Sequence, residues 1–192
     1  MPKLVLASSS PYRKSLLERL QQPFECASPD IDETPQPGES AEQLTQRLAQ
    51  AKARALRNQF SNHLIIGSDQ VLLLDGEPVS KPLNHAAAVD QLTRSSGRTL
   101  TFSTALCVLN STTGHEQTCI EPVHVTFRDL QAEEIERYLR QEQPYDCAGS
   151  FKSEGYGITL IARMQGDDPT SLIGLPLIRL RAMLAKEGLV LP

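Results

Sequence analysis

The chain has 192 residues, of which 40% are hydrophobic and 22% charged, as in globular proteins with enough apolar material for a core. Its formal net charge of −4 disfavours binding to nucleic-acid polymers, which usually requires a basic face, but it does not exclude a small anionic ligand. The four cysteines lack metal-binding or CxxC spacing, and no apolar run matches a signal-peptide core or a membrane span. We therefore expect one domain over residues 1–192, cytoplasmic, with reduced thiols and without a membrane or nucleic-acid partner.

Strand and helix patterns alternate from the start of the chain. Lys3–Ala7 is a short apolar run and predicts a buried strand. Pro11 follows a serine, which is a helix-start signal, and the helix carries Leu16, Leu17 and Leu20 on one face.

Capping and turn signals predict the elements up to residue 95. Ser40 and Gln43 form a capping-box pattern, which begins a long helix. The expected elements are a strand at 24–28, a Pro-rich loop at 30–38, the long helix with Leu44, Leu48, Ala51 and Ala55 at helical spacing, a strand at 64–67, a hairpin around Asp75-Gly76, and a helix from Asn84 to about Ser95.

The second half of the chain predicts long strands followed by helices. The expected elements are an antiparallel pair at 99–109 and 118–127, a helix from Asp129 with Ile135, Tyr138 and Leu139 inside, a Gly-rich stretch at 149–157, a strand at 158–162, and a helix from about Gly174 to Lys186 that stops at Gly188. Parallel crossovers combined with antiparallel pairs predict an α/β fold with a mixed sheet and helices packed on it.

The first candidate site follows the first strand. Ser8 begins a polar segment that leads through Arg13 into the first helix. Backbone N–H groups at a helix start lack intrahelical partners and carry partial positive charge, so the segment predicts an anion site. Simple N-capping by serine is the alternative.

A second candidate is Asp69, which is followed by Gln70 at the end of the strand expected at 64–67. In open α/β sheets, ligands lie beyond the carboxyl ends of the strands. A carboxylate at that position can bind a divalent metal or take a proton from water. An ordinary turn residue is the alternative.

Other charged residues extend this inventory. Glu33 follows Asp32 in the Pro-rich loop, and lysines occur at Lys52, Lys81 and Lys152. Each of them alone is explained as a solvated surface residue. Together they supply what phosphoanhydride hydrolysis needs, namely cations for several phosphates, acids for a divalent metal, and a carboxylate that orients water.

Several motifs, taken together and in order, resemble the Maf-type nucleoside triphosphate pyrophosphatases. They are SSSPYR at 8–13, DETP at 32–35, the helical Lys52, IIGSDQ at 65–70, Lys81-Pro82 and FKSEGYGI at 151–158. The resemblance implies an elongated, twisted mixed α/β sheet with two lobes around a cleft, often as a homodimer. It also implies that water attacks the α-phosphorus of a nucleoside triphosphate and pyrophosphate is released, with a divalent cation such as Mg²⁺ or Mn²⁺ as cofactor.

The family pattern implies roles for individual residues. Asp69 corresponds to the catalytic acid or base, and Glu33 would share the metal with it. The choice between base and metal ligand stays open for Asp69, because a divalent ion itself lowers the pKa of bound water. The residues implied to face the phosphates are Ser8, Arg13, Lys52, Lys81 and Lys152.

Tyr12, Gln70 and Glu154 resemble the 7-methyl-GTP branch of the family, whereas members that act on thymidine and uridine triphosphates typically have Arg where this chain has Tyr12. Methylation makes guanine cationic, and a cation over an aromatic ring gains about 0.5–2 kcal/mol. Ionised Glu154 only accepts hydrogen bonds and suits the N–H donors on the pairing edge of guanine. Gln70 offers one donor and one acceptor to the base or sugar.

Two functional alternatives remain open beside hydrolysis of 7-methyl-GTP, whose purpose would be to clear a modified nucleotide before polymerases use it. One alternative is a pyrophosphatase for UTP, dTTP or ITP-like nucleotides. The other is a non-enzymatic regulator of cell division, because the resembling family is also linked with septum inhibition. The acid and lysine set favours hydrolysis over nucleotide sensing.

Overall fold

The computed structural model describes residues 2–192, which form strands, helices and short 3₁₀ segments. The strands are β1 (Lys3–Ala7), β2 (Phe24–Ala27), β3 (His63–Leu74), β4 (Glu77–Pro78), β5 (Thr99–Asn110), β6 (Glu116–Phe127) and β7 (Ile161–Gln165). The helices are α1 (Pro11–Glu18), α2 (Ala41–Ala55), α3 (His85–Ser95), α4 (Ala132–Glu142) and α5 (Leu177–Lys186). The 3₁₀ segments are Ala148–Ser150, Tyr156–Leu160 and Pro169–Ile173. Within the described residues, no helix is long and apolar enough to cross a membrane.

The strands are hydrogen-bonded in the order β2-β1-β3-β5-β6-β7, and β4 pairs with β3. β1 is parallel to β2 and β3, whereas β4 is antiparallel to β3 and β7 is antiparallel to β6. The side chain of Thr99 contacts Thr126 and that of Thr101 contacts His124, so β5 and β6 also run antiparallel. The predicted α/β class with a mixed sheet is confirmed.

The chain divides into two compact units. The first unit contains the chain up to Gln70 together with Ser103–Glu121 and Asp168–Pro192, and the second contains Val71–Phe102 and Pro122–Asp167. Strands β3, β5 and β6 each pass from one unit into the other. Each of these long strands therefore contributes residues to both units.

In the first unit, the sheet is covered on both faces. Leu64 and Ile66 of β3 pack into a core with α1 and α5, whereas Ile65 packs into a second core with α2. Successive side chains of a strand point to opposite faces. Since both faces are buried, the strand sequence is a continuous apolar run, as is typical of parallel strands.

In the second unit, aromatic residues form much of the core. Phe151 packs against Phe127 at a ring-centroid distance of 5.1 Å and against Phe102 at 6.2 Å. Tyr138 of α4 is almost fully buried, at 1% exposure. Through Phe151, the segment that follows α4 packs against β5 and β6 of the sheet.

The capping and turn signals predicted from the sequence are confirmed. Ser40 Oγ accepts from the Gln43 N–H at 3.2 Å, and the Ser40 N–H donates to Gln43 Oε1 at 2.8 Å. Asn84 caps α3 through a bond from the Ala87 N–H. The hairpin is also present, with β3 and β4 paired antiparallel.

The predicted end of the third strand was wrong. Instead of stopping at residue 67, β3 continues to Leu74, so Asp69 lies in the middle of a strand and not beyond its end. The polar residues Ser68, Asp69 and Gln70 resemble a turn in the sequence. They remain extended because side-chain bonds from both faces of β3 satisfy them.

The predicted bounds of three later elements were also wrong. Gln131, and not Asp129, is the N-cap of α4, because Glu134 accepts from its N–H at 2.9 Å in a capping box. The final helix begins at Leu177 and not at Gly174, because Gly174 has a positive φ of 111° and ends a 3₁₀ segment. Strand β7 occupies 161–165 instead of 158–162, since a 3₁₀ segment precedes it.

The buried side of α2 includes polar residues. Thr45 and Lys52 are buried, whereas Ala55 is exposed. A lysine is rarely buried without a partner. Lys52 is buried because it has ionic partners.

Candidate active site

Lys52 lies at the centre of a charged cluster in the first unit. Its Nζ is 2.7 Å from Asp69 Oδ1 and 2.9 Å from Glu33 Oε1. The side chain of Lys52 is 9% exposed, that of Asp69 17% and that of Glu33 59%. The ammonium is therefore nearly removed from solvent, while the two carboxylates reach it from a buried strand and an exposed loop. The ammonium has three donors, so one remains beyond these two contacts.

The position of Lys52 follows from close packing between α2 and β3. Gly67 faces α2, and a Cβ placed on it would lie 2.1 Å from the Ala49 carbonyl oxygen and 3.0 Å from the Ala53 nitrogen. Only glycine permits this approach. Asp69 points to the same face as Gly67 because strand side chains alternate. Lys52 lies in the helical turn between Ala49 and Ala53, and its side chain therefore reaches Asp69.

Arg13 and Ser8 lie on the segment that connects β1 with α1. Ser8 is buried and its Oγ accepts from the Ser10 N–H at 3.1 Å, and Ser10 in turn caps α1. Arg13 Nε donates to the Gly174 carbonyl at 2.9 Å. Burial lowers the pKa of Arg13, whereas the negative charges of Asp69 and Glu33 raise it. The Gly174 carbonyl thus holds the guanidinium within the range at which the charges of Asp69 and Glu33 act on it.

Gln70 and Ser68 point to the sheet face opposite Asp69. Gln70 Nε2 donates to Thr104 Oγ1 at 2.8 Å, to the Ser171 carbonyl at 2.9 Å and to the Leu172 carbonyl at 3.1 Å. Ser68 Oγ is within 2.9 Å of the Gly174 carbonyl. The donors of Gln70 are thereby used within the protein, whereas its carbonyl oxygen Oε1 is not part of these bonds.

Gly174 joins these groups. Its carbonyl accepts from both Arg13 and Ser68, and its φ of 111° is one that L side chains rarely adopt. A Cβ on Gly174 would lie 3.4 Å from Arg13 Nε. Sequence reasoning missed this role; the glycine itself was visible, but its contact with Arg13 spans 161 positions of the chain.

Tyr12 is the second residue of α1 and is half-buried. It precedes Arg13 and lies in the same helical turn. Together with Tyr12, the first unit contains seven of the predicted site residues. They are Ser8, Tyr12, Arg13, Glu33, Lys52, Asp69 and Gln70.

The second unit contains Lys81, Lys152 and Glu154. Lys81 is exposed and precedes the buried Pro82. Lys152 Nζ is 3.1 Å from Glu142 Oε1, and this hydrogen bond raises the pKa of Lys152. Glu154 is exposed. Glu142 was not predicted from the sequence, because a glutamate at the end of a helix has no distinctive pattern.

The acidic residues were tested for their fit to a divalent metal. Among the described residues, no group of three or more His, Cys, Asp or Glu side chains could hold a metal ion. Asp69 and Glu33 nevertheless converge on one point, the Lys52 ammonium. Magnesium is usually bound by one or two carboxylates together with substrate phosphates and water. The pair fits that arrangement, in which the substrate completes the coordination.

Comparison with known proteins places these residues in a family context. The sequence matches the family described as Maf-like protein over residues 3–187. It is 60% identical over 188 residues to a curated protein of Methylobacillus flagellatus named 7-methyl-GTP pyrophosphatase, with 98% of each chain covered. Among solved structures, the Ham1 protein of Staphylococcus aureus has a TM-score of 0.56 and 15% identity, with 96% of this chain and 99% of that chain covered. This last likeness concerns the fold alone.

Proposed function

Because this chain belongs to the Maf-like protein family, we propose that it hydrolyses the α–β phosphoanhydride of 7-methyl-GTP to 7-methyl-GMP and pyrophosphate. The observation that carries the proposal is the nearly buried Lys52 ammonium, bound by Asp69 and Glu33. The relative named 7-methyl-GTP pyrophosphatase, at 60% identity, supports the choice of nucleotide. The family predicted from the sequence motifs is confirmed by the match over residues 3–187.

In the proposed reaction, the oxygen of a water molecule attacks the α-phosphorus. The bond between the α-phosphorus and the bridging oxygen breaks, pyrophosphate leaves, and Asp69 orients the water and takes its proton. Phosphoryl transfer depends mainly on positioning and on cations that neutralise the phosphate oxygens. Lys52 supports this role because it fixes the Asp69 carboxylate and retains a donor for a phosphate oxygen.

Ser8, Arg13, Lys81 and Lys152 complete the proposed set of phosphate-binding residues. Support for Arg13 comes from its bond to the Gly174 carbonyl, which uses Nε and leaves the terminal nitrogens for a phosphate. A guanidinium fork matches phosphate oxygens better than an ammonium does. The roles of Lys81 and Lys152 rest on the family resemblance.

We propose Asp69 and Glu33 as ligands of a divalent cation, Mg²⁺ or Mn²⁺. Such an ion polarises phosphoryl oxygens and lowers the pKa of bound water when it is present. The convergence of the two carboxylates on the Lys52 ammonium supports their affinity for a cation. Removal of divalent cations with a chelator is expected to abolish turnover, and addition of Mg²⁺ to restore it.

Tyr12, Glu154 and Gln70 are proposed to recognise the methylated base. Tyr12 would stack on the cationic ring, and Glu154 would accept from its N–H donors, strengthened by the positive charge of the base. Gln70 contributes through Oε1 alone, because its amide hydrogens are used by protein acceptors. This narrows the donor-and-acceptor role expected from the sequence.

The remaining expectations are also proposals. The family match over 3–187 supports one catalytic domain over residues 1–192, and the resemblance supports a homodimer. We also propose that the protein acts in the cytoplasm and clears modified nucleotides. Light scattering of the purified protein at several concentrations tests the dimer. A constant monomer mass would contradict it.

The experiment that tests the function is pyrophosphate release from 7-methyl-GTP beside GTP, UTP, dTTP and ITP, with Mg²⁺ present. The highest kcat/KM is expected for 7-methyl-GTP. Tyr12→Arg and Glu154→Ala are expected to reduce this preference, and the matched change Glu133→Ala on the exposed face of α4 should leave it intact. Preference for another nucleotide would retain the chemistry and reject the base assignment. Folded protein that releases no pyrophosphate from any of them would contradict the proposed activity.

A further inference from the structure

Glu142 ends α4 in a position that does not favour a carboxylate. The last carbonyls of a helix are unsatisfied and the C-terminal end carries partial negative charge. A glutamate there is destabilised unless cations or N–H groups offset it. The side chain of Glu142 is also only 13% exposed, so water contributes little to that compensation.

Two groups of the segment 152–156 provide the compensation. Lys152 Nζ is 3.1 Å from Glu142 Oε1, and the Tyr156 N–H donates to Glu142 Oε2 at 2.6 Å. One carboxylate therefore binds the segment at both of its ends. Glu154 lies between them in the sequence.

The neighbouring contacts hold the same segment against α4. Tyr138, one helical turn before Glu142, accepts from the Lys152 N–H at 3.2 Å, and its ring stacks on that of Tyr156 with centroids 6.3 Å apart. A Cβ on Gly155 would lie 2.6 Å from Glu142 Oε2. The glycine thus leaves the space that the carboxylate occupies.

We propose that Glu142 is a positioning residue, which holds segment 152–156 on α4 so that Lys152 and Glu154 are presented to the nucleotide. The inference rests on the proposed function for the roles of Lys152 and Glu154. The contacts of Glu142 themselves do not depend on it. Glu142 does not touch the reacting atoms in this assignment and acts through its two neighbours.

The kinetic test compares Glu142→Ala, Glu142→Gln and the control Glu133→Gln, which changes an exposed glutamate in the first turn of α4. Glu142→Ala removes both contacts and is expected to raise KM for 7-methyl-GTP roughly ten- to a hundredfold, as for loss of hydrogen bonds to charged groups. kcat should change less than KM, because Lys152 and Glu154 bind ground state and transition state alike. Glu142→Gln keeps an acceptor for the Tyr156 N–H and is expected to lie between the two.

A second measurement does not require turnover. In Glu142→Gln, the Lys152 ammonium loses its ion pair with Glu142, so its acylation by an amine-reactive reagent is expected to increase relative to that of exposed Lys14, as read by mass spectrometry. Circular dichroism checks that each variant is folded.

Three outcomes would overturn the inference. The first is that both Glu142 variants have the same KM and kcat as Glu133→Gln. The second is a lower KM in Glu142→Ala than in the parent protein. The third is that the acylation of Lys152 does not change in Glu142→Gln. If the parent protein hydrolyses none of the nucleotides, the proposed function fails, and the acylation ratio still decides whether Glu142 holds Lys152.

Discussion

The two compact units carry charged groups of different construction. In the first unit, Lys52 comes from the last turn of a helix and Asp69 from the middle of a strand, and both side chains are largely buried. In the second, Lys152 lies on an irregular segment and is 29% exposed. A helix and a strand fix the backbone positions of Lys52 and Asp69. The irregular segment that carries Lys152 is instead held by contacts with Glu142 and by close packing at its glycines. We therefore expect changes in the first unit to affect turnover and stability, and changes in the second to affect mainly substrate binding.

The largest effect is expected for Asp69→Asn. Loss of the carboxylate that orients water and takes its proton should reduce kcat about 10²- to 10⁴-fold, while nucleotide binding is retained. Steady-state kinetics and calorimetric titration with 7-methyl-GTP check this, with the exposed Asp30→Asn as control. A kcat within a factor of two of the parent would remove Asp69 from the mechanism.

Gly67→Ala and Gly157→Ala compare backbone contacts in the two units. A Cβ on Gly67 would lie 2.1 Å from the Ala49 carbonyl oxygen, and one on Gly157 would lie 2.4 Å from the Lys152 carbonyl oxygen. Gly67→Ala must push α2 off β3, so the free energy of unfolding is expected to fall by about 2–3 kcal/mol or more. Gly157→Ala displaces an irregular segment and should cost less while it raises KM. Urea denaturation distinguishes them, and a larger loss for Gly157→Ala would contradict the comparison.

Lys52→Met and Lys152→Met apply one substitution to both clusters. Lys52→Met leaves Asp69 and Glu33 without their shared ammonium, and because Arg13 stays beside them we expect the free energy of unfolding to decrease by about 1–3 kcal/mol. Lys152→Met removes a cation that is 29% exposed, and the Tyr156 N–H still donates to Glu142, so a smaller decrease of about 1 kcal/mol is expected. Thermal and urea denaturation measure both. Equal losses would show that burial does not distinguish the two lysines.

Gln70→Leu and Thr104→Val test the bonds on the opposite face of β3. Both remove groups that satisfy the Ser171 carbonyl, so each should lower the free energy of unfolding by about 1–3 kcal/mol. Thr104 is fully buried and cannot touch a substrate. Only Gln70→Leu is therefore expected to reduce the preference for 7-methyl-GTP over GTP, and an equal reduction in Thr104→Val would show that the effect is indirect.

The smallest effect concerns the N-terminal part of α2. Hydrogen bonds from Arg47 and from the Gln36 N–H lower the pKa of Glu39 from 4.5 to about 2. A carboxyl with a lowered folded pKa stabilises the fold above its unfolded pKa, and the contribution is lost as the pH falls through the folded value. Glu39→Gln should therefore be less stable than the parent at pH 6, and the difference should vanish between pH 4.5 and 2. A difference independent of pH would assign the effect to shape instead of charge.

Elements with strong local signals could be predicted from the sequence. Ser40 and Gln43 begin α2, Asn84 begins α3, and the Asp75-Gly76 turn makes the hairpin, because caps and tight turns are satisfied by residues a few positions away. Linked motifs also indicated the family and named Asp69, Lys52 and Glu33. Those residue types in that order are informative even where each alone is a common surface residue.

The positions of several charged side chains could not be predicted, because they depend on partners that are distant in the sequence. Asp69 lies inside β3 and not in a turn. Lys52 donates to Asp69 on one face of the strand, and the Gly174 carbonyl accepts from Ser68 on the other. The burial of Lys52 and the anchoring of Lys152 by Glu142 likewise depend on groups from other elements. Local sequence patterns indicate propensity and periodicity. They do not identify the distant carboxylate or carbonyl that offsets the free-energy cost of burying a charge. These side chains lie where such a partner is present.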